Sequence, residues 1–222
     1  MYCAEACEKE QRVLRRRIQF SSVLMVVASI LLAACGAPRA VKYYVIDLPP
    51  SPPVTAAAQF PITLLVSRIT ASHLYNDDRL VYGSGPVQLG TYDYERWAEA
   101  PANMIQELLV STLRSTGQYA TVARVASSVR GDYVLRGHLN QMYGVDQPAL
   151  VARFSLQLEL YDPQGRRIVW SQSYTHDEPV DGKTVPAIVE AMDRNVKTGM
   201  QQLSAGLTQY FTANPPQATA AK

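Results

Sequence analysis

The clearest pattern in the chain is a strict alternation of apolar and more polar positions over residues 150–160. Alternation with a period of two is typical of a β-strand with one buried and one solvent-facing side, and it favours an antiparallel sheet. Strand-forming segments also occur at residues 132–145 and 167–174, and Asp-Pro-Gln-Gly at residues 162–165 suits a type I turn. These segments predict a meander. The apolar side of its middle strand comprises Leu150, Ala152, Phe154, Leu156, Leu158 and Leu160.

Two other segments place apolar residues three or four positions apart, which is the period of an amphipathic helix. The first begins at Pro101, a residue tolerated in the first helical turn, and ends near Gly117. The second spans residues 184–211 and is expected to pack its apolar stripe on the sheet. A coiled-coil or membrane-surface helix is the alternative, although a polar face of mixed charge argues against lipid contact. The stripes contain Ile105, Leu108, Leu109 and Leu113, and Val185, Ile188, Met192, Val196, Met200, Leu203, Leu207 and Tyr210.

Shorter segments rich in aromatic and β-branched residues predict strands at residues 42–48, 61–69, 79–82 and 87–94. The four prolines within residues 49–53 predict a stiff exposed connection, because proline has no amide donor for a sheet. The whole pattern therefore predicts an α+β fold. It consists of a single domain with a mainly antiparallel sheet and two amphipathic helices packed on one face.

The N-terminal segment has the parts of a bacterial lipoprotein signal peptide. A basic run at residues 12–17 precedes an apolar run at residues 23–32 that is short for a membrane span, and Leu-Ala-Ala-Cys ends at Cys35. We expect cleavage before Cys35, whose diacylated thiol then anchors the protein in the membrane. An uncleaved helix with an incidental cysteine is the alternative. The predicted organisation is a signal peptide at 1–34, a lipidated tether at 35–41, a folded domain at 42–212 and a disordered tail at 213–222.

Removing the leader changes the charge balance of the chain. The full sequence has 21 lysines and arginines against 19 aspartates and glutamates, which gives a net charge of +2. The leader contains five of these basic residues and three of the acidic ones, so the remaining 188 residues carry sixteen of each. Binders of nucleic acid or polyanionic lipid heads are expected to have a basic surplus. We therefore expect no nucleic-acid partner.

Candidate ligands for metals are sparse. Once the two leader cysteines are removed, Cys35 is the only cysteine, so neither a disulfide nor a cysteine metal site is expected, and no cofactor is predicted. His176, Asp177 and Glu178 are consecutive potential ligands, but three neighbours in a turn rarely converge on one metal ion. His138 is expected on a strand face with Arg136, where a hydrogen-bonded or solvated histidine is the common case.

Candidate catalytic residues are equally few. Ser84 lies between two glycines, but the Gly-x-Ser-x-Gly frame and the strand-to-helix context of a nucleophile loop are missing. A hydrolase would require Ser84 and His176 to meet, and no third member of a triad is apparent. The sequence therefore predicts a non-enzymatic protein.

Residues 79–101 contain an unusual concentration of aromatic residues that carry polar groups. Side chains of this kind are enriched at protein contact surfaces, which makes the segment a candidate site for binding a partner. The alternative is that the tryptophan and one or two tyrosines cap the core where the first helix begins. The candidate contact residues are Tyr82, Tyr92, Tyr94, Arg96 and Trp97.

These motifs together resemble the family of ABC-type transport auxiliary lipoproteins. The resemblance rests on the lipobox, on Tyr-Tyr-Val-Ile-Asp-Leu-Pro-Pro at residues 43–50, on Arg-Leu-Val-Tyr at 79–82 and on Tyr-Asp-Tyr-Glu-Arg-Trp-Ala-Glu-Ala-Pro at 92–101. It extends over essentially the whole mature chain. The stretch from Trp97 to Pro101 is the strongest match, and none of the motifs contains a catalytic residue.

The resemblance implies a location and a set of partners. It implies a lipoprotein on the periplasmic face of the outer membrane that works with a mammalian-cell-entry (MCE) domain protein and with ABC or integral inner-membrane transporter components to move lipids between membranes. Gly36 after the cysteine, in place of aspartate, is compatible with release to the outer membrane. A structural or envelope-assembly lipoprotein without a transport partner is the alternative function, and a homo-oligomer stays open.

Overall fold

The computed structural model describes residues 39–47, 57–83, 87–125, 130–146 and 149–216. The predictions for the signal peptide, Cys35, the connection at residues 49–53, Ser84 and most of the tail fall outside these ranges. The strands are β1 (Lys42–Tyr44), β2 (Phe60–Val66), β3 (Thr70–Ala71), β4 (Arg79–Gly83), β5 (Leu89–Trp97), β6 (Tyr119–Arg124), β7 (Tyr133–Asp146), β8 (Leu150–Asp162) and β9 (Arg167–Pro179). The helices are α1 (Pro101–Ser115) and α2 (Val185–Ala213), and His73–Tyr75 form a 3-10 turn.

The meander predicted from the alternating pattern is formed by β7, β8 and β9. Both pairings are antiparallel and extend along nearly the full length of each strand. The turn between β8 and β9 occurs where the Asp-Pro-Gln-Gly sequence predicted it, and Asp162 Oδ1 accepts a hydrogen bond from the Gln164 amide at 2.9 Å. The apolar side of β8 is buried from Ala152 to Leu160, as its periodicity indicates.

Two expectations about the meander are wrong. Residues 176–178 lie within β9 and not in a turn, because β9 stays paired with β8 as far as Pro179. The polar side of β8 is also less solvent-facing than alternation suggests, because cross-strand partners cover it. Ser155, for example, is only 6% exposed, and its hydroxyl oxygen lies 2.8 Å from that of Thr175.

The α+β prediction is confirmed, and the sheet is mixed. The edge of β7 that faces away from β8 is shared in succession by β2, β3 and β4, and all three run parallel to β7. Beyond β2 lies β6, which is also parallel, whereas beyond β4 lie the antiparallel β5 and then β1. The sheet therefore divides into two branches next to the meander.

Both helices begin and end close to their predicted positions. Pro101 is the first residue of α1, and Gly117 follows its end with a φ of +64°, a conformation that glycine adopts without strain. Thr184 caps α2 by accepting a hydrogen bond from the Ala187 amide. The apolar stripe of α2 is buried against β8 and β9, which supports core packing. Neither helix of the described residues is apolar enough over its length to cross a membrane.

A single buried polar side chain fixes α2 on the meander. Asn195 is fully buried, and its Nδ2 donates hydrogen bonds to the carbonyls of Ala152 and His176 at 2.8 and 2.9 Å. Its Oδ1 accepts a third from the Tyr174 hydroxyl at 2.8 Å. Because the buried Asn195 amide can make all three hydrogen bonds in only one position of the helix along the strands, it fixes that position.

Candidate docking surface

The predicted contact residues lie on one branch of the sheet, which we call the edge branch and define as residues 41–47, 79–83 and 87–97. It contains β4, β5 and β1, and β1 is the last strand of the sheet on this side. Within the described part of the chain, the outer edge of β1 pairs with no other strand. Edge strands offer unpaired backbone groups to a binding partner.

A large bulge in β5 shapes the centre of the edge branch. Val81 in β4 pairs with Thr91 in β5. Arg79, two residues before Val81, pairs with Arg96, which lies five residues after Thr91. The three extra residues are accommodated between these two pairs. Bulges bend a strand and are frequent beside functional sites. Two of the candidate residues, Tyr92 and Tyr94, belong to this bulged stretch.

Tyr82 and Tyr92 form an aromatic pair on the surface of the branch. Their ring centroids are 4.9 Å apart, and Tyr82 is 36% exposed. The Tyr82 ring covers Gly90, its cross-strand partner, so closely that a β-carbon at position 90 would lie 2.6 Å from the Tyr82 Cζ atom. Burial raises the pKa of Tyr92, with smaller contributions from nearby Tyr82 and carboxylates. The Tyr92 hydroxyl therefore stays neutral near pH 7, and the pair presents apolar rings with polar tips.

Arg96 and Trp97 occupy a different environment from the tyrosines. Trp97 is only 2% exposed and belongs to the core, which favours the alternative that this tryptophan caps the core and does not bind a partner. The Arg96 guanidinium is engaged with Asp78, at 2.6 Å between Nη1 and Oδ1. The Trp97 amide donates a hydrogen bond to the backbone carbonyl of Asp78, also at 2.6 Å. These two residues thus position the branch, whereas Tyr82, Tyr92 and Tyr94 are the candidates that reach its surface.

Glu95 attaches β1 to the branch. Its carboxylate accepts a hydrogen bond from the Tyr44 hydroxyl at 2.7 Å and lies 3.4 Å from the Lys42 ammonium. Burial, followed by the hydrogen bond to Glu95, raises the pKa of Tyr44 to about 12. The neutral phenol that the hydrogen bond requires is therefore stable throughout the physiological pH range.

The residues after β1 are held on α2 by a small polar network. The Asp47 amide donates to Asp193 Oδ1 at 3.0 Å, and the Lys197 ammonium lies 3.2 Å from Asp47 and 2.9 Å from Asp193. Hydrogen bonding to these two carboxylates raises the pKa of Lys197. The polar face of α2 that argued against lipid contact thus binds the segment next to β1.

Sequence reasoning missed most of the apolar surface of the branch. Tyr43 and Val45 are 63% and 64% exposed, yet they lie in a segment predicted only as a strand. Tyr44 and Ile46 point to the core and Tyr43 and Val45 point to solvent, as in an alternating strand. Because both sides carry apolar residues, the sequence does not show which side is exposed. Of the nine large apolar residues that the described part exposes, seven lie on the edge branch. They are Val41, Tyr43, Val45, Tyr82, Val87, Leu89 and Tyr94.

The histidines lie apart from this surface and from one another. His73 is in the 3-10 turn, His138 is on the exposed side of β7 as predicted, and His176 is on β9 at 3.6 Å from Glu178. In the part of the chain that the structure describes, no three side chains of the metal-binding types converge. The edge branch is therefore the candidate site that the exposed apolar residues favour.

Solved structures share this fold at low sequence identity. Protein XCC0632 from Xanthomonas campestris, a DUF330 family member, is 21% identical over 78% of this chain and 98% of its own, with a TM-score of 0.70. A second crystal structure, of an uncharacterized protein, is 13% identical over 76% of this chain and 99% of its own, with a TM-score of 0.59. These similarities concern the fold alone. No curated protein is significantly similar to the chain in sequence.

A family model matches the chain across the folded domain. The match covers residues 44–204, and the model describes the ABC-type transport auxiliary lipoprotein component. The matched segment begins in β1 and ends within α2, so it includes the meander, α1, most of the edge branch and most of α2.

Proposed function

Because the chain belongs to the family of ABC-type transport auxiliary lipoprotein components, we propose a specific role for it in such a system. The chain is the non-enzymatic lipoprotein subunit of an intermembrane lipid transport complex, anchored by Cys35 in the periplasmic leaflet of the outer membrane. Its partner is an MCE-domain periplasmic protein, which is linked in turn to the inner-membrane transporter components.

The observation that carries this proposal is the uneven distribution of exposed apolar side chains. The meander covers its apolar face with α2, whereas the edge branch leaves tyrosines, valines and a leucine in contact with solvent. Clustered exposed apolar residues mark interaction sites, and tyrosine is enriched in their centres. The charged pairs that surround them, Arg96 with Asp78 and Lys42 with Glu95, give the polar rim that such interfaces have.

Covalent geometry adds a second argument, which concerns the anchor. Only five residues, 36–40, separate Cys35 from Val41 at the start of the edge branch, which makes six Cα–Cα steps. An extended chain covers at most about 3.6 Å per residue, so a lipidated Cys35 would lie within about 22 Å of the branch. The proposed docking surface is therefore held close to the membrane, where a transport partner would have to reach it.

The experiment is a pull-down of the MCE-domain protein encoded in the same operon with the full chain carrying Tyr94→Asp. A buried charge at the centre of an interface is strongly unfavourable, so we expect the association to be lost. Ile168→Asp is the matched control, because Ile168 is also an exposed apolar strand residue, at 50%, but lies on β9. We expect this control to bind like the unmodified chain.

Two results would contradict the proposal in different ways. If the unmodified chain does not bind the MCE-domain protein at micromolar concentrations, the transport role is wrong, and an envelope-assembly lipoprotein becomes the better assignment. If Tyr94→Asp and Ile168→Asp bind equally well, the partner uses another surface.

A further inference from the structure

A separate cleft lies on the outer side of the meander, the side that faces away from the helices. Along β7, Leu135 and Leu139 are buried, whereas Arg136 and His138 are exposed on the opposite side. The cleft forms where these residues meet the segment before β3 and has a volume of about 300 Å³. This size is at the lower end of the range for small-molecule sites.

The cleft contains a cross-strand acid and base that do not pair with each other. Arg136 and Glu159 are direct partners in the β7–β8 register, a position from which opposite charges normally interact. Instead, the Arg136 guanidinium stacks on the Tyr161 ring, 4.0 Å from its centroid. Glu159 Oε1 accepts a hydrogen bond from Gln157 Nε2 at 3.0 Å. Each charge is thus held by a neighbour on β8, and both keep unused bonding capacity.

A second cross-strand pair in the same meander shows what the ordinary arrangement is. Arg153 and Asp177 are partners in the β8–β9 register and form two parallel hydrogen bonds of 2.7 and 2.6 Å. The bonded Arg153 guanidinium holds the pKa of Asp177 below its usual range. Both pairs are direct cross-strand partners, and they differ in their neighbours, so the separation of Arg136 from Glu159 is a specific feature of the cleft.

A second arginine extends the positive side of the cleft. Arg68 is exposed and, like Arg136, has no carboxylate within ion-pair distance among the described residues. The backbone beside it is fixed, because the Ser67 amide donates to the Leu135 carbonyl at 2.9 Å. Two unpaired guanidinium groups at one cleft form a site for an oxyanion, for which arginine is the preferred residue.

The floor of the cleft is ordered by a hydrogen-bonded histidine. The Thr70 hydroxyl donates to the Gly137 carbonyl at 3.1 Å, and its oxygen lies 2.8 Å from His138 Nδ1. The contact with Thr70 holds the imidazole ring next to the strand. A site with fixed walls loses less conformational entropy when a ligand binds.

From this geometry we propose that the cleft binds a small zwitterion of the phosphoethanolamine type. The phosphoryl oxygens accept hydrogen bonds from Arg68 and Arg136, and the ammonium group pairs with Glu159. A simple anion fits less well, because the Glu159 carboxylate would repel it. This inference does not depend on the transport role, since free phosphoethanolamine and a phospholipid head group share the same chemistry.

The test is isothermal titration calorimetry of the full chain with O-phosphoethanolamine, inorganic phosphate and water-soluble dihexanoyl phosphatidylethanolamine. We expect O-phosphoethanolamine to bind with a Kd on the order of 1 mM, as suits a small open site, and phosphate to bind more weakly. Tighter binding of the dihexanoyl lipid identifies a lipid head group as the source, and equal binding identifies the free compound.

Charge-removing variants connect any binding to the cleft. Arg136→Gln and Glu159→Gln should each weaken binding of O-phosphoethanolamine by roughly tenfold, because each removes one charged partner. Lys183→Gln, which removes an exposed charge from the loop before α2, should leave the affinity unchanged. Circular dichroism of each variant checks that it is folded. The inference is overturned if O-phosphoethanolamine does not bind, if phosphate binds equally well, or if the cleft variants bind like the control.

Discussion

The meander and the edge branch are parts of one sheet, but their apolar residues differ in exposure. Those of the meander are covered by α2, whereas many of those on the branch are exposed. In the meander, the apolar side of β8 is buried from Ala152 to Leu160, and Phe154 and Leu156 have no exposed surface. On the edge branch, Tyr43, Tyr82 and Tyr94 are all more than a third exposed. The difference indicates that the buried meander contributes strongly to the stability of the domain, and the exposed apolar area of the branch is the basis of the proposed docking surface.

The polar interactions also differ in burial, because the meander contains buried ones and those of the branch are partly exposed. Asn195 is fully buried, and its three hydrogen bonds connect α2 to β8 and β9. The polar contacts of the branch, such as Arg96 with Asp78, are partly exposed to solvent. Exposed ion pairs contribute little to stability, so they can orient a surface without making it rigid.

The largest expected effect comes from breaking the covered side. Phe154→Ala removes a fully buried ring that packs on Tyr174 at 5.9 Å between centroids. We expect the free energy of unfolding to fall by roughly 3–5 kcal/mol, because the cavity adds to the lost transfer free energy. Urea denaturation measures this change, and a loss of less than about 1 kcal/mol would show that the meander is not the stabilising region.

The next effect concerns the hydrogen bonds that position α2. Asn195→Ala leaves the buried Tyr174 hydroxyl without its partner and removes two hydrogen bonds to the carbonyls of Ala152 and His176. We expect a destabilisation of about 2 kcal/mol, since each unpaired buried group retains its desolvation cost. The same denaturation assay applies, and Asn214→Ala at the exposed end of α2 is the matched control.

A smaller effect on the free energy of unfolding is expected at alkaline pH, where Tyr44 of the branch loses its proton. The pKa of Tyr44 is raised to about 12 in the folded protein, against 10.0 for the free side chain. A raised pKa gives stability that is fully present below pH 10 and is lost as the pH rises towards 12. Burial also raises the pKa of the core residues Tyr75 and Tyr119 to about 12. Tyr44→Phe should therefore flatten only part of this alkaline loss, and an unchanged pH profile would contradict the Tyr44–Glu95 hydrogen bond.

The smallest effect on stability is expected on the exposed side of the branch. Tyr94→Ala removes an aromatic ring, as Phe154→Ala does, but Tyr94 is 41% exposed. We expect the free energy of unfolding to change by no more than about 0.5 kcal/mol, as for most surface substitutions. If Tyr94→Ala instead destabilises the domain as much as Phe154→Ala, the branch belongs to the core, and its contrast with the meander disappears.

The sequence predicts a region well when residues close together in the chain determine its structure. The strand at residues 150–160 and both helices were identified correctly because one face of each is buried and the other is polar. On the edge branch, Trp97 and Tyr94 carry the same sequence signal as aromatic residues, yet one is buried and the other is not. Which of them is covered depends on the bulge in β5 and on β1, neither of which has a signature at those positions.

The zwitterion cleft had no sequence signal of its own. His138 was expected on a strand face with Arg136, as a hydrogen-bonded or solvated histidine, and it is exposed on β7 in contact with Thr70. Arg68 and Glu159 were not singled out, because they are far from Arg136 in the chain. Only the parallel pairing of β3 with β7 and the antiparallel pairing of β8 with β7 bring these side chains together.

The sequence by itself determined the class of the protein and the elements with a regular period. It predicted the lipoprotein leader, and it identified the family resemblance, the meander and the two helices, since each depends on the composition or spacing of residues close together in the chain. Only the tertiary structure decided the parallel arrangement around β7, the separation of Arg136 from Glu159 and the exposure of Tyr43 and Tyr94. These features depend on which distant segments cover each face of a strand, and residues of the same type are buried or exposed according to that packing.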